Sequence, residues 1–325
     1  MAVVDPNHVL PRTYEWNVAL ERAFGKADVL TVTYLGAAGR KLMRRDLYNA
    51  ANPNFSGMLN VLWNGSDSSY EALQAQFRHR LAHGLQTLFS YSWAHAIDDA
   101  SSDAYPINLP ANYAPLSQER ASSDYDIRHT FSGAVSYSIP APGSGIGKTI
   151  FGNWSTDSIV YARSAPPVNV VTGLSASPLG QLATGATGGP RPNLASGVPL
   201  WIANPDVAGG REISPAAFPI PSTAVQGDLG RNALRGFGAT QVDLTLRRQF
   251  QLRERLSLQA RADLFNVLNH PNFGPPTNYM SSPLFGQSTQ MLGASLGSGG
   301  QNGGLNPLYQ IGGPRSAQLA LKLLF

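Results

Sequence analysis

The sequence predicts an all-β fold, an antiparallel up-and-down sheet of about nine strands that makes part of a transmembrane β-barrel. Composition, period-two alternation and the rhythm of connection lengths lead to it. Among 325 residues, 33 are Gly and 24 are Pro, more than the roughly 12% of average usage. Both residues break helices. Charged residues are 14%, against about 25% in an ordinary soluble domain. Hydrophobic residues reach 42%, too many for a disordered chain. No uncharged apolar run approaches the ~18–20 residues of a membrane helix.

The elements follow in chain order from alternation, the mark of a strand with one apolar face. Tyr14, Trp16, Val18 and Leu20 oppose Glu15, Asn17, Ala19 and Glu21. Weaker alternation covers 28–35 and 70–79. Leu85, Thr87, Phe89, Tyr91 and Trp93 mostly oppose Gln86, Ser90 and Ser92. Phe131, Gly133, Val135 and Tyr137 oppose Ser132, Ala134, Ser136 and Ser138. A weaker strand covers 153–163. Val242, Leu244 and Leu246 oppose Gln241, Asp243, Thr245 and Arg247. Leu256, Leu258, Ala260, Ala262 and Leu264 oppose Ser257, Gln259, Arg261 and Asp263. Last and clearest, Ala317, Leu319, Leu321, Leu323 and Phe325 oppose Ser316, Gln318, Ala320 and Lys322.

Connections alternate in length. Short links lie near 25–27, 80–84, 140–152 and 251–254; long, Gly/Pro/Asn/Ser-rich links span 36–69, 94–126, 164–238 and 269–314. Short periplasmic turns and long extracellular loops are the rhythm of an outer-membrane barrel. With the C-terminus on the periplasmic side, Tyr14, Trp16, Tyr34, Tyr91, Trp93 and Phe131 fall near the outer strand ends. Phe24, Phe77, Tyr137, Trp154, Phe250 and Phe325 fall near the inner ends. These are two aromatic girdles. Arg22 and Arg248 interrupt apolar faces, but only beside short turns, where a cation costs about 0–1 kcal/mol instead of about 2–4 at mid-bilayer. The alternative is a soluble, secreted β-rich binding module, a sandwich whose long loops bind sugar or a protein surface. Its solvent face would carry more charge than the Ser, Gln, Ala and Asn seen here.

No constellation for catalysis survives inspection, so no enzyme and no cofactor is expected. Without cysteine there is no disulfide, cysteine–zinc site or thiol nucleophile. Gly143 to Thr149 is like a phosphate-binding loop, but Pro142 stands where that motif needs glycine. Gly293-Ala294-Ser295-Leu296-Gly297 has nucleophile-elbow spacing, yet no Asp, Glu or His follows it. His79 and His83 lack the intervening Glu of a zinc helix and flank a turn. Asp98, Asp99 and Asp103 lack EF-hand spacing and read as a solvated loop. Net charge is +4 without a basic run beyond Arg44-Arg45, so nucleic acid is not an expected partner. Arg261 and Asp263 are expected to form a charged ladder with Asp243 and Arg247 on the neighbouring strand, worth about 0.2–1 kcal/mol per facing pair. These lumen groups, with Arg231, Asn232 and Arg235 of the longest loop, are the candidate contacts to a plug or solute.

Several stretches carry a resemblance. They are Tyr34-Leu35-Gly36 to Gly39-Arg40-Lys41-Leu42, Asp126-Ile127-Arg128-His129, Ala216-Ala217-Phe218 and Gly230-Arg231-Asn232-Ala233-Leu234-Arg235-Gly236. Val242-Asp243-Leu244 and the run from Arg261-Ala262-Asp263 through Asn266, His270-Pro271-Asn272 and Phe273-Gly274 complete the set. Together they resemble the C-terminal part of the barrel of Oar-like TonB-dependent outer-membrane receptors, over all of residues 1–325. The resemblance implies solute transport across the outer membrane of a Gram-negative bacterium, driven by TonB through an N-terminal plug. It also implies that Leu321, Leu323 and the terminal Phe325 form the signal read by the barrel assembly machinery. Met1-Ala-Val-Val-Asp-Pro has no charged n-region or apolar h-region. Signal peptide, plug and early strands are therefore expected to be missing, leaving a fragment inactive alone and lipid as its direct surroundings.

Overall fold

The computed structural model describes residues 2–48, 59–101, 116–141, 145, 152–173, 190–221, 226–295 and 312–325. Nine long strands form one antiparallel meander: β1 (Arg12–Phe24), β2 (Asp28–Tyr48), β3 (Leu59–Ala82), β4 (Leu85–Asp98), β5 (His129–Ile139), β6 (Trp154–Arg163), β7 (Ala239–Arg253), β8 (Leu256–Phe265) and β9 (Ser316–Leu324). Each pairs with its sequence neighbour, as the alternation predicts. Two short strands join the sheet: Ala2–Val4 runs parallel to β3, and Ala121–Ser122 runs antiparallel to β4. Among the described residues, β1 and β9 each pair on one side only. The sheet is a barrel segment, not a closed barrel.

All four short connections lie at one end. In the β3–β4 turn, His83 (φ 50°) and Gly84 (φ 80°) both take positive φ, the backbone of a two-residue hairpin whose twist suits the flanking strands. At the other end the structure departs from the sequence reading. The stretch 36–69 is not mostly loop. Strands β2 and β3 have 21 and 24 residues, about twice the ~9–11 needed to span a bilayer. The surplus builds a tall hairpin beyond the membrane, paired as far as Tyr48 with Leu59 and kinked by bulges near Leu42. The alternation fades there because neither face meets lipid, so the pattern that marks the lower half is lost.

The register places the expected apolar residues on one face. Leu20, Val32, Ala75, Tyr91 and Phe131 form one cross-strand row. Leu246, Ala262 and Leu319 form another. Large apolar side chains stand exposed along this face, including Val18, Leu20, Trp93, Leu319 and Leu321. Burying such a surface is worth about 25 cal/mol per Å², which lipid supplies and water does not. Outer-girdle packing is specific. Trp16 lies opposite Gly36, and a Cβ there would meet its indole at 2.4 Å. Glycine is thus what lets the ring lie flat on the sheet. Two cations at the short-turn end of this face stack on inner-girdle rings: Arg22 on Phe24 at 5.3 Å, and Arg248 on Trp154 at 5.3 Å and Phe250 at 4.4 Å.

Candidate functional site: the lumen face and its loop cap

The opposite face is polar and nearly neutral. Thr31, Thr33, Gln74, Gln76, Ser90 and Ser132 line a shallow cavity of about 270 Å³ on it. Described loop residues reach side chains of this same face at its outer end, Asn266 N–H to Asp243 and Gly312 N–H to Gln241, which makes it the lumen.

These loops form a cap with a core of its own. Val168, Val170, Ile213, Ala217, Phe218, Leu229, Leu234 and Phe285 are buried together. Phe218 meets Phe285 edge-on at 6.3 Å. The β6–β7 and β8–β9 connections both contribute, and they exchange backbone hydrogen bonds: Val171 N–H to Asn278 O and Met280 N–H to Val171 O, each 2.9 Å. Arg211 lies against both Trp201 and Phe237, 4.4 and 4.9 Å from their centroids. It donates to Gly236 O at 3.0 Å. Gly/Pro/Asn/Ser-rich composition correctly marks non-strand chain here. It does not reveal that sparse Val, Ile, Leu and Phe, spread from Val168 to Phe285, condense into one cluster.

Polar side chains dock the cap on the sheet. Thr240 N–H donates to Asn272 Oδ1 at 2.7 Å, and Asn272 Nδ2 returns a bond to Thr240 O at 3.0 Å. Gly312 N–H donates to Gln241 Oε1 at 2.8 Å. Asn266 and Asn269 adopt positive φ, 48° and 51°, which Asn tolerates better than most residues. Asn266 Nδ2 reaches Gly313 O at 3.0 Å.

The loop residues singled out from the sequence come together in this brace. Arg231 donates to Glu119 O at 2.9 Å, to Ser101 Oγ at 3.2 Å and to Asp98 O at 2.9 Å, and it pairs with the Asp98 carboxylate. Asn232 Nδ2 donates to Ser122 O at 2.8 Å and to Asp124 Oδ1 at 2.6 Å. Arg235 donates to Asp126 O at 2.9 Å and pairs with the Asp126 carboxylate. Each therefore ties the longest loop to the β4–β5 connection. Arg191 adds a fourth tie, to Glu119 at 2.8 Å, and also donates to Leu229 O of its own loop at 2.8 Å. A further buried pair, Arg44 with Asp46 at 2.7 Å, anchors the tall hairpin; Arg44 also donates to Asp99 O, and Trp63 Nε1 donates to Asp46.

Asp126 is 1% exposed. Burial pushes its carboxyl pKa up, but the Ala96 N–H bond and the Arg235 and Arg128 guanidiniums outweigh that and hold it below the usual range. The sequence reading passes over Glu119, Asp124 and Arg191, and gives Asp98 and Asp126 no part in a brace. In a chain this poor in charge, acids and arginines inside long loops are a signal for such pairing. Asp98 and Asp99 are taken up in these contacts instead of standing in a solvated loop. Among the described residues no cluster suited to a metal is present; Asp103 lies outside them.

The lumen ladder takes a different form from the expected one. Arg247 faces Arg261 across β7 and β8, and Asp263 faces Thr245. Like charges opposite one another repel, so each arginine turns elsewhere. Arg247 pairs with Asp157 on β6 at 2.9 Å, and Arg261 with Asp263 on its own strand at 2.8 Å. Asp243 accepts from Gln241 at 2.9 Å and from Asn266 N–H at 2.8 Å. Alternation predicts the face correctly; it does not say which opposite charge falls in register. Leu321, Leu323 and Phe325 lie at the lipid-facing end of the open strand β9 or just past it. His79, on a strand, binds Asp28 at 2.7 Å, while His83 sits in the turn. The Gly143–Thr149 stretch and the second half of Gly293–Gly297 lie largely outside the described residues.

An apolar outward face, a polar lumen and a cap over the lumen define an outer-membrane β-barrel segment. Residues 1–298 match the outer membrane beta barrel domain family, and the chain belongs to it. Its location is the outer membrane, and the soluble-module alternative is set aside. Among solved structures it is similar to the outer membrane transporter YddB from Escherichia coli, at 8% identity and TM-score 0.53, covering 98% of this chain and 33% of that one. The ferripyoverdine receptor of the Pseudomonas aeruginosa outer membrane aligns at 12% identity and TM-score 0.46, covering 97% and 27%. The chain thus spans between about a quarter and a third of the length of these structures. No curated protein matches its sequence.

Proposed function

We propose that this chain is the C-terminal barrel portion of a TonB-dependent transporter or receptor of the Oar-like type. Two sheet edges without a partner strand among the described residues, on a sheet with a lipid face, carry the reading. In hydrocarbon each unsatisfied backbone group costs several kcal/mol, so β1 and β9 call for further strands of one larger barrel. The polar lining of the lumen face supports it too. In this reading Arg231, Asn232 and Arg235 act by bracing the cap, while the half-exposed Arg261, steadied by Asp263 and beside Asp243, is the lumen group best placed to touch plug or solute. Leu321, Leu323 and Phe325 serve as the assembly signal, and TonB acts only through the plug.

An antibody against the cap tests this on native outer membranes. The epitope is expected in a polypeptide about three times the 34.7 kDa of this chain, because the chain aligns with 33% of the transporter it resembles. A band at the mass of the chain alone would overturn the reading.

A further inference from the structure

The outward face is not uniformly filled. Between β7 and β9 the outward residues of β8 shrink to Ala260 and Ala262, flanked by Leu246 on one side and Leu319 and Leu321 on the other. The result is an apolar trough of about 570 Å³ with Trp154 at its side. At roughly 30 Å³ per methylene, a volume near that of a liquid water, it has room for one fatty acyl chain. Arg248 stands in the same cross-strand row as Ala260 and Leu321. It lies on the lipid face at the short-turn end, steadied by Trp154 and Phe250. That is the level of the periplasmic-leaflet headgroups. Arg22 is a similar cation on the same face, stacked on Phe24. Its row holds Leu30, Phe77 and Phe89, large side chains in place of the two alanines.

We propose that this trough is a binding site for one glycerophospholipid of the periplasmic leaflet. One acyl chain lies over Ala260 and Ala262, and the phosphate meets Arg248. A guanidinium is suited to this because its planar donors match phosphate oxygens and it sheds water more readily than an ammonium. The alanines matter by absence: leucines in their place fill the trough. The inference rests on the membrane span and not on transport, so it stands or falls separately from the reading above.

The test uses the native polypeptide carrying this sequence, reconstituted in phosphatidylethanolamine vesicles with spin-labelled phosphatidylglycerol or spin-labelled diacylglycerol. Wild type is expected to immobilise phosphatidylglycerol about tenfold better than diacylglycerol, the scale of one charge-assisted hydrogen bond. Arg248→Gln loses that preference, Arg248→Lys keeps most of it, and Arg22→Gln leaves it unchanged. Ala260→Leu with Ala262→Leu removes the immobilised component for both lipids. The proposal is overturned if wild type shows no preference, if Arg22→Gln matches Arg248→Gln, or if cross-linking from Ala262→Cys captures a second protein chain instead of lipid. Should the double leucine variant fail to insert, the Gln and Lys variants at Arg248 still decide, because neither changes the trough.

Discussion

Asp126 is the most heavily bonded acid of the cap brace's Arg235 tie, taking one backbone N–H and two guanidiniums. Asp126→Asn is expected to loosen the cap by about 2 kcal/mol, less than the 3–5 of a fully buried pair because Arg235 and Arg128 are each about a third exposed. Limited proteolysis within 190–238 reads this out; unchanged cleavage would count against the brace. The carboxyl pKa is lowered in the folded protein. Its contribution is therefore fully present above the unfolded carboxylate value of about 3.9 and is lost as pH falls from there through the lower folded value. Cap protection is expected to be flat from neutral pH down to about 5 and to fall below about 4. Gly36 belongs at this scale as well. Gly36→Val places methyls on the Trp16 indole and is expected to cost about 1–3 kcal/mol of overpacking, visible as a lower urea midpoint for the inserted protein.

The terminal strand shows how an element earns its faces. Leu319, 82% exposed, lies mid-strand on the lipid side, and its neighbour Gln318 points to the lumen. Leu319→Arg is expected to cost about 2–4 kcal/mol. Gln318→Arg, entering a wet lumen, is expected to stay within about 0.5 kcal/mol, the ordinary surface range. Equal costs in a refolding titration into vesicles would refute the assignment of faces. The tall β2–β3 hairpin teaches the complementary lesson. Its lower halves, 28–35 and 70–79, are legible because they are half in lipid. Its upper halves are held by backbone pairing and the Arg44–Asp46–Trp63 contacts, none of which imposes a two-residue hydrophobic period.

At the scale of the whole molecule, the open edges dominate. Purified by itself in detergent, the chain is expected to associate through β1 and β9, since unpaired strand edges recruit other strands. Light scattering after size-exclusion chromatography would then show species above the monomer mass at every detergent concentration that keeps it folded. A monodisperse monomer with native-like sheet content would mean that the edges are satisfied within the chain. With no cysteine in these 325 residues, association of the chain by itself cannot come from disulfides.

What the sequence alone determined was the nine long strands of the meander, the faces of the six that alternate clearly and the end at which the loops gather. All three follow from a local rule: side chains alternate sides, and one side meets lipid. The aromatic girdles and the tolerated Arg22 and Arg248 obey the same rule. Only the tertiary structure decided which charges meet. Arg231 finds Asp98 across 133 residues, and Arg247 takes Asp157 in place of a partner on β8. It also decided that distant apolar residues such as Val170, Phe218 and Phe285 share a core. Such contacts depend on register and loop path, which no local periodicity encodes.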